Sequence, residues 1–171
     1  MSKSFRDLQP YEALALGIAV ETRNAQRYDS FALLFAGYDD EVSSLFTEMS
    51  NEELEHRSAL QELYRIRFGD QPCTLDEADV DDVVEAVDID DAEHLIFNTM
   101  TLKNVLEAAL RAEQGAQRFY AALSQTVQDE DLLALYRQLG ENEQDHVAAV
   151  ENRIRQLGGE KGTNNHGRVK N

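Results

Sequence analysis

The sequence predicts an all-α protein, an antiparallel four-helix bundle with a long crossover between its second and third helices, and three observations lead there. The 171 residues favour helix, being rich in Ala, Leu, Glu, Gln and Arg, with only two prolines and no tryptophan. Four long segments carry apolar residues alternately three and four apart, the spacing of a buried helical seam. Two of those segments share a pattern, Glu52-Glu53-Leu54-Glu55-His56 and Asn142-Glu143-Gln144-Asp145-His146, in which a Glu precedes a His by three residues. On a helix of ~3.6 residues per turn such side chains point the same way, so each pair forms a two-armed claw.

The first helix is predicted from about residue 10 to about 36. Pro10 suits its first turn, where a missing N–H costs nothing, and Gly37 suits its end. Its inward stripe reads Leu14, Ile18, Glu21, Ala25, Tyr28, Ala32, Phe35. A turn of a few residues follows, with Asp39 or Asp40 as N-cap, and so short a turn makes the next helix antiparallel. That second helix, about 40 to 68, has the stripe Phe46, Met49, Glu53, His56, Leu60, Leu63.

Between about residues 69 and 100 the pattern breaks at Gly69, Asp70 and Pro72, then turns strongly acidic from Asp76 to Glu93. Val80, Val83, Val84 and Val87 have helical spacing, which predicts a short helix laid outside the bundle. The acidic run lacks the glycine and bidentate Glu spacing of a calcium loop and reads as a solvated face. A connection this long lets the third helix begin at the opposite end of the bundle.

Thr101 caps a third helix, about 102 to 127, with the stripe Leu106, Ala109, Glu113, Ala116, Tyr120, Leu123, Val127. A turn capped by Asp129 leads to a fourth helix, about 130 to 158, with the stripe Leu132, Tyr136, Leu139, Glu143, His146, Val150, Ile154, Leu157. Gly158-Gly159 is expected to end it, which makes residues 1–158 the bundle and 159–171 a disordered polar tail with one aliphatic side chain, Val169. Glu21 and Tyr28 recur as Glu113 and Tyr120 at the same separation, and the claws recur as well. The chain reads as two copies of a helical hairpin, with a site near a pseudo-twofold axis.

The ionisable residues that interrupt the four seams are Glu21, Glu53, His56, Glu113, Glu143 and His146. Each is a metal-ligating type near the middle of its helix, so side-by-side packing brings all six to one level. Unpaired carboxylates in an apolar bundle cost several kcal/mol each or take up protons. Two divalent cations offset that charge, because four carboxylates and two neutral imidazoles balance it. One Glu from each of two helices and a Glu-x-x-His from each of the other two is the ligand set of carboxylate di-metal bundles. Without thiolate, such a set suits Fe or Mn, and Zn also binds. Glu52 and Asn142 lie four residues before a ligand His, either as partners of an imidazole N–H or on an exposed face. Tyr28 and Tyr120 read first as core residues needing a hydrogen-bond partner. His94 and His166 match no pattern and read as surface residues.

A net charge of −17 excludes nucleic acid and anionic membrane as partners and suits a protein that attracts cations. No apolar run approaches the ~20 residues of a membrane span, and no signal peptide is evident, so a cytoplasmic location is expected. Cys73 stands alone, which removes an intrachain disulfide, a Cys-x-x-Cys metal site and a dithiol redox pair.

With these residues in hand the sequence resembles the rubrerythrin group of the ferritin-like superfamily. The resemblance spans residues 10–157 and rests on Ala19-Val20-Glu21 and Arg111-Ala112-Glu113, each followed two turns on by an aromatic, and on the two Glu-x-x-His claws. It implies a ferritin-like di-iron oxidoreductase that reduces hydrogen peroxide or oxidises Fe(II) with oxygen, often as a homodimer. Glu21, Glu53, Glu113 and Glu143 then serve catalysis as iron ligands, Glu53 and Glu143 ligating one metal each or bridging, and His56 and His146 each binding one iron. Zn or Mn are substitutes.

Two departures stand out. Rubrerythrins carry a further Glu one turn after the third-helix ligand, where this chain has Ala116, and a rubredoxin domain with paired Cys-x-x-Cys motifs, so electrons must come from an external donor protein or from substrate Fe(II). The symmetric set is also that of bacterioferritin, which implies iron storage or delivery, though the polar tail stands where a fifth packing helix is expected. A metal-free helical adaptor is the third reading; it predicts that Glu21→Ala or Glu113→Ala stabilises the bundle.

Overall fold

A computed structural model of the protein describes residues 5–72 and 101–163, with side chains for 6–72 and 101–158. After a single 3-10 turn, Phe5–Asp7, the described residues form α1 (Pro10–Phe35), α2 (Asp40–Phe68), α3 (Leu102–Thr126) and α4 (Glu130–Thr163). This is the expected all-α bundle, and its helix starts are written in the sequence. Pro10 is the first helical residue, and the Gln9 N–H donates to the Glu12 carboxylate at 2.9 Å. Asp39, Thr101 and Asp129 cap the other three helices by accepting from the N–H of Val42, Asn104 and Leu132 at 3.0, 3.3 and 3.0 Å. Gly37 and Gly69, just past α1 and α2, take positive φ of 75° and 60°, where a side chain would be strained.

The fourth helix departs from expectation. It does not stop at Gly158-Gly159 but runs to Thr163. Glycine within a helix costs only about 1 kcal/mol relative to alanine, and Gly158 lacks the left-handed backbone that would end the helix. Cys73, the short helix expected around Val80–Val87, the acidic run, His94, His166 and the last residues of the expected tail lie outside the described residues.

The predicted seams are the buried ones. Every stripe residue of α1 is buried except Ile18, which is partly so, and in the third stripe only Val127, just past the end of α3, is partly exposed. The core is split in two. One cluster joins Leu14, Leu16 and Val20 of α1 to Leu60 of α2, Phe119, Tyr120 and Leu123 of α3, and Leu132, Tyr136 and Leu139 of α4. The other joins Tyr28, Phe31 and Phe35 to Val42, Phe46 and Met49, to Val105, Leu106 and Ala109, and to Val150.

The order in which each helix meets these clusters gives the topology. α1 and α4 pass from the first cluster to the second, whereas α2 and α3 run from the second to the first. α2 and α3 are therefore parallel, and the chain between Gly69 and Thr101 must cover the length of the bundle, the long crossover of ferritin-like folds. Within each hairpin the helices pack closely, α1 on α2 and α3 on α4. No helix among the described residues is long and apolar enough to cross a membrane.

Candidate metal centre

Between the two apolar clusters lies one layer of ionisable side chains. Glu21, Glu53, Glu113 and Glu143 are completely buried, and His56 and His146 are 8% and 4% exposed. All six predicted ligands are brought together, in two overlapping groups. Glu21, Glu53, His56 and Glu143 offer ligand atoms within 4.8 Å of one another, and so do Glu53, Glu113, Glu143 and His146. Glu53 and Glu143 belong to both groups, so each could serve an ion in either.

The histidines aim Nδ1 inward. His56 Nδ1 lies 3.1 Å from Glu53 Oε2, 3.6 Å from Glu143 Oε1 and 3.7 Å from Glu21 Oε2. His146 Nδ1 lies 3.0 Å from Glu113 Oε2, 3.5 Å from Glu53 Oε1 and 3.8 Å from Glu143 Oε2. The rings face each other with centroids 5.9 Å apart, as a local twofold requires. Their outer nitrogens meet the opposite claw helix: His146 Nε2 is 2.6 Å from Glu52 Oε2, and His56 Nε2 is 2.9 Å from Asn142 Nδ2. Glu52 and Asn142 thus take the imidazole-partner role rather than the exposed-face one.

Both tyrosines are fully buried, and each donates its hydroxyl to a ligand carboxylate on the other hairpin. Tyr28 of α1 bonds Glu113 Oε1, and Tyr120 of α3 bonds Glu21 Oε1. The sequence marked these tyrosines as core residues, which they are. Their partners were beyond it, because a heptad pattern gives the face of a residue but not which side chain it meets across the bundle.

The electrostatics are those of carboxylates packed together away from water. Burial pushes Glu53 well above the usual carboxylate range, with Glu21 and Glu113 adding to it against the pull of His146. Burial does the same to Glu143, reinforced by Glu53 and Glu113. Burial also acts on Glu113, but hydrogen bonds from His146 and Tyr28 outweigh it and hold this group low. Burial disfavours charge on His56 and His146, yet the surrounding carboxylates raise both above the ordinary imidazole range. Tyr28 and Tyr120 are pushed up by burial beside these anions and remain phenols that donate.

Whether ions fit is decided by the oxygens. Glu21 Oε2, Glu53 Oε1 and both oxygens of Glu143 are buried without a hydrogen-bond donor. Buried polar atoms ordinarily have partners, and four orphaned carboxylate oxygens converging on two imidazole nitrogens are a donor set for cations. The residues therefore fit two divalent ions: Glu21 with His56 would hold one, Glu113 with His146 the other, and Glu53 and Glu143 are within reach of both.

The comparisons agree with this geometry. The chain matches the rubrerythrin family model over residues 12–95 and 104–171. It belongs to the rubrerythrin family. In structure it is similar to a hypothetical protein from Pyrococcus furiosus, with a TM-score of 0.66 and 21% identity, over 88% of this chain and 91% of that one. That likeness supports the ferritin-like fold. No curated protein matches the chain closely enough to count as a relative.

Proposed function

We propose that the protein is a di-iron oxidoreductase that reduces hydrogen peroxide or oxidises Fe(II) with dioxygen. The observation that carries this reading is the pair of overlapping ligand groups sharing Glu53 and Glu143 in a buried layer. Two Fe(II) ions so held would supply one electron each to the oxidant. The residues of the chain do the rest. Glu21, Glu53, Glu113 and Glu143 neutralise the ions, and His56 and His146 leave the charge balanced. Tyr28 and Tyr120 orient the terminal carboxylates, and the apolar clusters on either side keep bulk water from the layer.

Ala116, buried one turn after Glu113, bears on the oxidant. A rubrerythrin of the usual kind places a further glutamate there. Its absence leaves the symmetric set that also serves Fe(II) oxidation, so both oxidants belong in the test. Electrons come from an external donor protein or from substrate Fe(II). Zn or Mn can occupy the same donors. Among the described residues the large exposed apolar ones, Leu33, Leu34, Tyr38, Leu54 and Ile66, lie on the α1–α2 hairpin, which supports a homodimer formed through its outer face.

Anaerobic Fe(II) titration followed by mixing with peroxide or with oxygen tests the reading. The expected result is two irons per chain and rapid development of oxo-bridge absorption, the faster oxidant naming the activity. Large assemblies holding many irons per chain would instead support storage. Absence of iron binding, together with an unchanged or raised melting temperature for Glu21→Ala, would support the metal-free adaptor.

A further inference from the structure

We propose that the two halves of the metal centre are unequal: the half built on His146 is the tighter, resident subsite, and the half built on His56 exchanges its ion with solution. This rests on the di-metal reading above. Nearest the ions the halves are near copies, each with one terminal glutamate, one imidazole Nδ1 and a share of Glu53 and Glu143. The symmetry breaks one residue further out, at Glu52 and Asn142, which occupy equivalent positions in the two claws.

With an ion on Nδ1 the single ring proton would sit on Nε2 and be donated outward. His146 Nε2 donates to an anion, Glu52 Oε2, at 2.6 Å. At His56 the neighbour 2.9 Å from Nε2 is the amide of Asn142, which accepts through its neutral Oδ1 once the amide is turned over. An imidazole that donates to a carboxylate carries more electron density on its other nitrogen and binds a metal more strongly than one that donates to an amide. The Glu52 side chain is 56% exposed, so solvent screens it. That places its effect at the low end of what such partners contribute, on the order of tenfold in affinity.

A second, independent observation points the same way. A cavity of about 460 Å³ between α2 and α4 is lined by His56 and Asn142, and His146 is not part of its wall. Glu52, Glu55 and Asp145 line it too, giving it the charge to draw a cation, and Leu135 and Leu139 complete its apolar side. The half with the less basic imidazole is thus the half that opens to solution. Glu52 and Asn142 act as positioning residues, through the histidines, and the class of ion they sort is a divalent transition-metal cation, Fe(II) under the reading above.

The test is anaerobic titration of the metal-free, full-length chain with Co(II), followed by calorimetry and by cobalt visible absorption. Two Co(II) per chain are expected in two steps. Glu52→Gln should weaken the first step by on the order of tenfold and leave the second, while Asn142→Asp should tighten the second and leave the first. Two equal halves separated only by repulsion between the ions give the opposite pattern. Glu52→Gln then spares the first step, because the ion fills the other half first, and Asn142→Asp tightens it.

That opposite pattern overturns the inference while leaving the di-metal reading intact; fewer than two Co(II) per wild-type chain overturns both. His56→Gln and His146→Gln check the assignment separately, since the first should keep the tight step and the second should lose it. Matching melting curves of the metal-free variants distinguish a changed site from a changed fold.

Discussion

Glu53 and Glu143 sit where an apolar side chain would pack better, and everything at the residue scale follows from their being there. Each is fully buried, shared between two ligand groups and left with at least one oxygen lacking a donor. Without cations the layer holds protons instead. Glu53, Glu143, His56 and His146 all titrate higher in the folded chain than their ordinary values, so above about pH 4.5 the metal-free folded state binds more protons than the unfolded one. Its stability is then greatest on the acid side of neutrality and falls as pH rises. Glu113, held low, works in the opposite sense only below the ordinary carboxylate range.

The metal-free chain should therefore melt higher at about pH 5 than at about pH 8, measured by circular dichroism at constant ionic strength. The chain's net charge of −17 adds a slope of the same sign, and Glu53→Gln isolates the buried layer by flattening part of it. The metal-loaded chain should show the reverse trend, since protons compete with the ions for the same donors. A metal-free chain that gains stability between pH 5 and 8 would contradict these protonation states.

At this scale the six side chains that converge were legible as the ionisable interruptions of apolar seams. What escaped the sequence was the pairing between helices: Tyr28 with Glu113, Tyr120 with Glu21, Glu52 with His146, Asn142 with His56. Those pairings depend on how two hairpins dock, which local spacing does not encode.

At the scale of elements, the two aspartates that cap α2 and α4 each carry a second load. Asp39 accepts from Val42 N–H at the start of α2 and also pairs with Arg153 of α4, whose Nη2 lies 3.0 Å from Asp39 Oδ2. Asp129 accepts from Leu132 N–H at the start of α4 and pairs with Arg67 of α2, which also reaches Asp131 at 2.8 Å. Each hairpin is thus pinned to the other at both ends of the bundle, with the layer of ionisable side chains between. Arg67, first among its causes, holds the Asp129 carboxyl low, so that contact is present at neutral pH and is lost only as pH falls through the lowered pKa.

Asp39→Ala removes a cap and a mostly buried ion pair at once. It should cost about 1–2 kcal/mol in urea denaturation of the metal-free chain, and Asp39→Asn, which can still cap, should cost less. Equal losses in the two variants would assign the effect to the ion pair alone.

The caps of α2, α3 and α4 were readable because Asp or Thr stands immediately before each of those helices, and so were the helix starts. The end of α4 was not. Gly158-Gly159 is a stop signal only if one glycine turns left-handed, and the helix passes through Gly158 instead. Glycine permits that turn without imposing it.

At the scale of the molecule, the helices run one up, two down and one up, and this follows from two tight turns and one long connection. The turns after Phe35 and after Thr126 leave no choice but antiparallel neighbours, and the long chain between α2 and α3 frees the second hairpin to dock with its twofold partner. The consequence is that equivalent residues of two similar hairpins meet at one level, between two apolar clusters that seal the layer from above and below. Fold and site were legible together because both are written in the same period. A seam of apolar residues predicts the bundle, and the residues that violate the seam predict what the bundle holds.

The central claim is that this layer holds two metal ions bridged by Glu53 and Glu143. The most direct measurement is anomalous diffraction at the iron absorption edge from crystals of the chain grown with Fe(II) under anaerobic conditions. The account predicts two peaks ~3.5–4 Å apart, one between Glu21 and His56 and one between Glu113 and His146. A single peak outside the layer, or none at full Fe(II) saturation, would contradict it.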